Sequence, residues 1–287
     1  MSSTSSRLRS DRSTRLDRNT GVEERVRFVG PGGQYVFAVS YTPLAGESRG
    51  GVIVSPSLLA DRVRTYRAEV ELARRLAADG FSVVRYDYRG FGHSDGVTGE
   101  ATIESMVADL ESVHREILSP IADMPLVQVG VRFGSVIAAA GAEKLGGDVV
   151  LWDPALNARS YLRESFRAHM IGRINHETSA ETPLRQLEEK GEADVLGYTV
   201  SQQLVSSASS APDVSTSVSS EPRRVLWVSF GDPLRQKEID LVEGWRANGL
   251  DVETEVVDLD DLTWYIGARP IVGDEVVTRT ARWLEGS

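Results

Sequence analysis

Val127-Gln128-Val129-Gly130-Val131-Arg132-Phe133-Gly134 decides how this chain folds. Residues 126–129 are mostly apolar and β-branched, as a buried strand requires. Residues 133–145 follow with a run of small side chains broken by Val136 and Ile137, which reads as a closely packed helix. Gly130 and Gly134 bracket the junction, where a sharp strand-to-helix turn leaves no room for side chains.

The same alternation extends in both directions. Residues 51–54, 81–86, 149–152, 224–230 and 252–257 read as strands. Tyr66, Val70, Ala73, Leu76 and Ala77 recur at helical spacing, as do Ile103, Met106, Val107, Leu110, Val113 and Ile117. Ile239, Val242 and Trp245 line another helix, and Val276, Val277, Thr280, Trp283 and Leu284 a last one. Near the start, runs 25–28 and 35–41 are joined by Pro31-Gly32-Gly33, which predicts an antiparallel pair. The expectation is an eight-stranded, mostly parallel sheet with helices on both faces.

Residues 155–222 interrupt the alternation. Helical pieces at 161–171, 183–189 and 195–205 precede a Ser-rich stretch at 206–220 that reads as a loop. This insertion is expected to form a small helical cap on a core made of 23–154 and 223–287. Residues 1–22 are expected to be a disordered Arg/Ser-rich tail with too little apolar surface to order itself. Ligands in such sheets sit at the carboxyl ends of the strands. The turns there supply Ser57, His93, Arg132, Asp153, Asp232 and Trp264 as pocket candidates.

Composition narrows the chemistry. The chain has 287 residues, no cysteine and four histidines, so thiolate sites are excluded and neither a metal nor a cofactor is expected. The absence of cysteine and of a secretory apolar segment fits a cytoplasmic protein. The net charge is −10; the first twenty residues hold five arginines against two aspartates, a balance of +3 that leaves −13 on the remainder. An acidic body argues against nucleic acid as partner, and no apolar run is long enough for membrane insertion. A small-molecule ligand, or a protein partner, remains.

Asp87-Tyr88-Arg89-Gly90-Phe91-Gly92-His93-Ser94-Asp95-Gly96 is similar to the DxRGxGxSxG turn of serine-aminopeptidase-like α/β-hydrolases. Residues 127–134 resemble that superfamily's nucleophile elbow, G-x-S-x-G. Both lie in the family's order, and the resemblance covers roughly 24–285. It implies an α/β-hydrolase fold with a Ser nucleophile at 132, a His after the last strand and an acid at Asp232. The sequence has Arg132 at the first position and Leu-Asp-Asp-Leu-Thr-Trp-Tyr over 259–265, with no His after His176. Ser135 lies about one turn inside the following helix. Ser55-Pro56-Ser57 stands where relatives have His-Gly, and Pro56 has no N–H to donate. The amides of Ser57 and Phe133 remain as oxyanion donors. The closest resemblance is to divergent hydrolase-like proteins found with bacterial exosortase and surface-polysaccharide systems, which carry a Gly-x-Arg-x-Gly elbow. It implies a role beside a biosynthetic pathway.

A guanidinium stays protonated and is no nucleophile. At a helix N-terminus Arg132 would suit an anionic ligand. It would equally suit an internal pair with Asp153 or Asp232. Three functions follow: binding of an anionic or acyl small molecule; an esterase, thioesterase or acyltransferase with a non-standard centre built on His93 and Arg132; or a pseudoenzyme acting through protein contacts. Trp264 and Tyr265 would either pack the floor of the site or stack on a ligand.

Overall fold

The computed structural model describes residues 14–121, 124–173, 182–218, 223–258 and 274–286. Its central sheet has nine strands. In chain order these are β1 (Thr14–Asp17), β2 (Val22–Val29), β3 (Val36–Pro43), β4 (Gly51–Ser55), β5 (Ser82–Tyr86), β6 (Leu126–Val131), β7 (Asp148–Trp152), β10 (Arg224–Phe230) and β11 (Asp251–Val257). The spatial order is β1-β2-β3-β5-β4-β6-β7-β10-β11. Strands β1 to β3 run antiparallel to their neighbours and the rest are parallel. This is the α/β-hydrolase fold.

The ninth strand corrects the expectation of eight, and of a wholly disordered segment 1–22. Residues 14–17 pair with β2. The turn between them is closed by Asp17, whose Oδ1 accepts from the Asn19 and Thr20 amides at 3.0 and 3.3 Å, with Gly21 at φ 69°. Backbone pairing and an Asx turn thus order residues with almost no apolar surface of their own.

Side chains alternate across the sheet. Val52, Val54, Val83 and Val129 face one core with Leu72 and Leu76 of α1 (Leu59–Ala78) and Val276 and Trp283 of α9 (Asp274–Glu285). Ile53, Val84 and Leu151 face the other. That side is covered by α2 (Ile103–Val113), α3 (Gly134–Leu145) and α8 (Gln236–Ala247). Each fully buried Leu or Val contributes roughly 1.5–3 kcal/mol. Trp152 belongs to the first core, where its Nε1–H donates to Thr280 Oγ1 at 2.9 Å.

The insertion contains α4 (Ala158–Arg173), α5 (Pro183–Lys190), the hairpin of β8 (Glu192–Val195) and β9 (Tyr198–Ser201), α6 (Gln202–Ser210) and α7 (Val214–Val218). The cap, expected to be helical, thus also contains a two-stranded hairpin. The two-residue turn has Leu196 at φ 56° and Gly197 at φ 84°, the left-handed pair that a tight hairpin needs. Within the Ser-rich stretch read as a loop, residues 206–210 and 214–218 are helical instead. Ser201 caps α6 through the Leu204 amide, and Ser207 and Ser209 fold their hydroxyls onto preceding carbonyls. Val214 and Val218 enter the core beside α3. Among the described residues no helix is long and apolar enough to cross a membrane.

Candidate functional site

Arg132 occupies the apex of the turn between β6 and α3, with φ 50°, a left-handed conformation that costs a non-glycine residue of order 1 kcal/mol or more. The surroundings enforce it. Its amide donates to Trp152 O at 2.9 Å, and its carbonyl accepts from Ser135 and Ala155 at 3.0 and 3.1 Å. A Cβ on Gly130 would lie 2.4 Å from Ser135 Cα, and one on Gly134 2.0 Å from Ser55 O. Glycine at both positions is thus a steric requirement.

The Arg132 side chain is buried, with the residue only 7% exposed. Its Nη1 donates to Asp153 Oδ2 at 2.8 Å and Asp153 O at 3.0 Å, and its Nε to Asp61 Oδ2 at 3.3 Å. Glu164 Oε1 lies 3.6 Å from Nη2. Burial opposes the charge on Arg132, but Asp153, Asp61 and Glu164 together outweigh it and raise the guanidinium's pKa. Burial raises the pKa values of Asp153 and Glu164 against the pull of Arg132. Arg64 Nη1 lies 3.7 Å from Asp61 Oδ1, so two guanidiniums face three carboxylates and Arg132 carries no uncompensated charge. Of the two carboxylates expected as internal partners, Asp153 takes the role. Asp232 is exposed, in the turn after β10.

A cleft of about 970 Å³ opens beside Arg132. Asp153, Asp232, Arg163, Arg167 and Glu164 line it together with an apolar wall that includes Leu156, Trp227 and Phe230. Ser57 lines a separate cavity of about 320 Å³ with Tyr88, Phe91 and Tyr198. Its hydroxyl is buried, 3.4 Å from Tyr161 Oη, which itself lies 2.7 Å from Leu58 O. Phe133 is buried, its ring 5.3 Å from that of Tyr161. Neither the Ser57 nor the Phe133 amide donates to another group among the described residues. Trp264 and Tyr265 lie outside the described residues.

The structure sets His93 apart from Arg132. Its side chain is 71% exposed, its Nδ1 is 3.2 Å from Asp87 Oδ2, and its ring sits 4.8 Å from Phe37. It lines neither cavity. A base at His93 acting with an electrophile at Arg132 is therefore not assembled. Asp87 instead organises its own turn. It accepts from the His93 amide at 3.1 Å and from Arg62 Nη2 at 2.7 Å, and a Cβ on Gly92 would strike it. Asp61 and Glu164 were not legible as site residues. They lie 71 and 32 positions from Arg132, on two different helices, and no spacing links them to it.

Burial raises the Asp87 pKa, but Arg62 and the His93 hydrogen bonds outweigh it and hold the carboxyl below its ordinary 3.8. A depressed carboxyl stabilises the fold above its unfolded value, and that contribution is lost as pH falls through the folded value. The expected result is that Asp87→Asn is less stable than the parent at neutral pH, with the difference shrinking below about pH 4. Urea titrations at several pH values measure it, and a difference independent of pH would refute the assignment.

Fold and site together define an α/β-hydrolase-fold protein with a capped carboxyl edge. The sequence pattern of the serine aminopeptidase, S33, family matches residues 59–222, more than half of the chain, and the chain belongs to that family. A comparison with curated proteins finds no match. Similar solved structures include Est1E from Butyrivibrio proteoclasticus with ferulic acid bound, at 14% identity and TM-score 0.63, covering 91% of this chain and 98% of that one. A putative hydrolase from Agrobacterium vitis has 19% identity and TM-score 0.57, covering 92% and 98%. A thioesterase domain from the Curacin biosynthetic pathway has 15% identity and TM-score 0.52, covering 89% and 98%.

Proposed function

We propose that this chain has given up serine hydrolysis and binds an anionic or acyl small molecule in the cleft beside Arg132, in support of a bacterial biosynthetic pathway in the cytoplasm. The observation that carries the reading is Arg132 itself. The turn where the family resemblance calls for a nucleophilic serine holds a buried guanidinium fixed by Asp153, Asp61 and Glu164. The cleft of about 970 Å³ has the size of a small-molecule site, with an apolar wall and a few polar groups. A pseudoenzyme acting only through protein contacts would have no need of it. Ferulic acid in one structural neighbour and thioester chemistry in another are consistent with a ligand of this class. The proposed kinship with the exosortase-associated branch rests on the sequence of the same Arg-bearing turn.

One observation favours a second reading, an esterase, thioesterase or acyltransferase with a non-standard centre. The unengaged amides of Ser57 and Phe133 are donors of the kind that stabilise an oxyanion. Among the described residues no activated nucleophile accompanies them. Ser135 is buried with its hydroxyl on Gly130 O at 3.1 Å, and Ser57 faces Tyr161, whose pKa burial raises far above the range of a useful base.

The expected result is that fluorophosphonate probes do not label the protein stoichiometrically, while thermal-shift screening with acyl esters, acyl thioesters and organic acids finds stabilising ligands without turnover. Intact-mass analysis checks the first part. Modification of Ser57 or Ser135, or turnover of an acyl ester, would establish the second reading instead.

A further inference from the structure

The cleft is electrically lopsided. At the Arg132 end, Asp61, Asp153 and Glu164 face Arg132, with Arg64 on the far side of Asp61 at 3.7 Å, so the Arg132 guanidinium is already neutralised and offers an incoming anion no net positive charge. On α4, Arg163 and Arg167 also line the cleft, are exposed, and make no ion pair or hydrogen bond with any described residue. Arg235, the remaining cleft arginine, is engaged by Glu238. Arg163 and Arg167 are four positions apart, so they stand on one helix face roughly 6 Å from each other. Arg159, one turn earlier, is exposed on the same face. Two unengaged guanidiniums on the wall of a cleft, in a chain of net charge −10, form a local attractor for anions.

We infer that Arg163 and Arg167 on the cap helix, rather than Arg132 at the strand-to-helix turn, read the charged head of the ligand, and that this head is a phosphate monoester attached to an apolar body. This rests on the ligand-binding reading above and names its chemistry. A phosphate monoester carries close to two negative charges at neutral pH and three acceptor oxygens, enough to engage two guanidiniums at once. A carboxylate offers one charge and two oxygens. The apolar body lies along Leu156, Trp227 and Phe230, which line the same cleft.

Titration calorimetry with hexyl phosphate, hexanoate and methyl hexanoate tests this, on the parent chain, Arg163→Ala/Arg167→Ala and Arg163→Lys/Arg167→Lys. Hexyl phosphate should bind the parent most tightly of the three. The double alanine variant should bind it about ten- to a hundredfold more weakly, with an unchanged melting temperature because both side chains are exposed. The double lysine variant should recover part of the affinity, since it keeps the charge and loses the planar fork. Hexyl phosphate binding that is equal in the parent and the alanine variant would overturn the inference. If hexanoate or methyl hexanoate binds both proteins equally and the phosphate brings no gain, the head-group assignment falls while the cleft remains a ligand site. If none of the three probes binds the parent chain, both readings fall.

Discussion

Arg132→Ser should cost up to about 3–5 kcal/mol of stability, because it leaves the half-buried Asp153 and Glu164 without their cation and Asp61 with only its longer contact to Arg64. In a chain of this length that corresponds to roughly a 5–10 °C fall in melting temperature. Asp153 loses its shortest partner, at 2.8 Å, and Asp61 its contact at 3.3 Å. Adding Asp153→Asn should restore part of the loss, since it removes one of the stranded charges. A coupling of about 0.5–3 kcal/mol is expected for residues in such direct contact. The serine so placed should not hydrolyse esters, because no histidine among the described residues is brought to the turn; His93 lies with Phe37 and Asp87. Scanning calorimetry and an ester assay on the single and double variants decide the matter. An unchanged melting temperature would mean that Arg132 is not the structural centre of this charge cluster.

Gly134→Ala should be at least as damaging. The added methyl would sit 2.0 Å from Ser55 O and 2.7 Å from Pro56 O, both backbone atoms that cannot swing aside. Relief requires α3 to move away from the end of β4 and disturbs the whole carboxyl edge. The expected loss exceeds about 3 kcal/mol, at the top of the range for overpacking, and the variant should express largely as insoluble protein. Gly244→Ala is the control. Gly244 lies within α8 with nothing inside 4 Å of the added atom, and the change should raise stability by up to about 1 kcal/mol. Comparable behaviour of the two variants in chemical denaturation would contradict the steric account.

The two glycines that bracket the Arg132 turn show where sequence reading succeeds. Gly130 and Gly134 are legible because steric exclusion acts locally, within one strand-to-helix junction. The eight strands rich in β-branched residues are legible because burial imposes its pattern along each strand. β1 is not, since Thr14–Asp17 contributes only Leu16 as a large apolar side chain and owes its order to pairing with β2. The cue was present in Asp17-Arg18-Asn19-Thr20-Gly21, a turn sequence that reads equally well as part of a polar tail. The β8–β9 hairpin was hidden by a leucine at a left-handed turn position where asparagine is the usual signal. The carboxylates that engage Arg132 divide in the same way. Asp153 ends a strand on the functional edge, so topology places it. Asp61 and Glu164 are brought in by helices whose packing no local pattern encodes.

β1 has a further consequence for the molecule's behaviour in concentrated solution. Without it, β2 would end the sheet and present eight residues of unpaired backbone to any passing chain. With it, Val22–Arg25 of that margin are paired by Thr14–Asp17, which bear the arginine at position 15. Positive charge on an edge strand is among the means by which proteins discourage edge-to-edge association. The segment that contributes least to the core is therefore a guard against aggregation at one margin of the sheet.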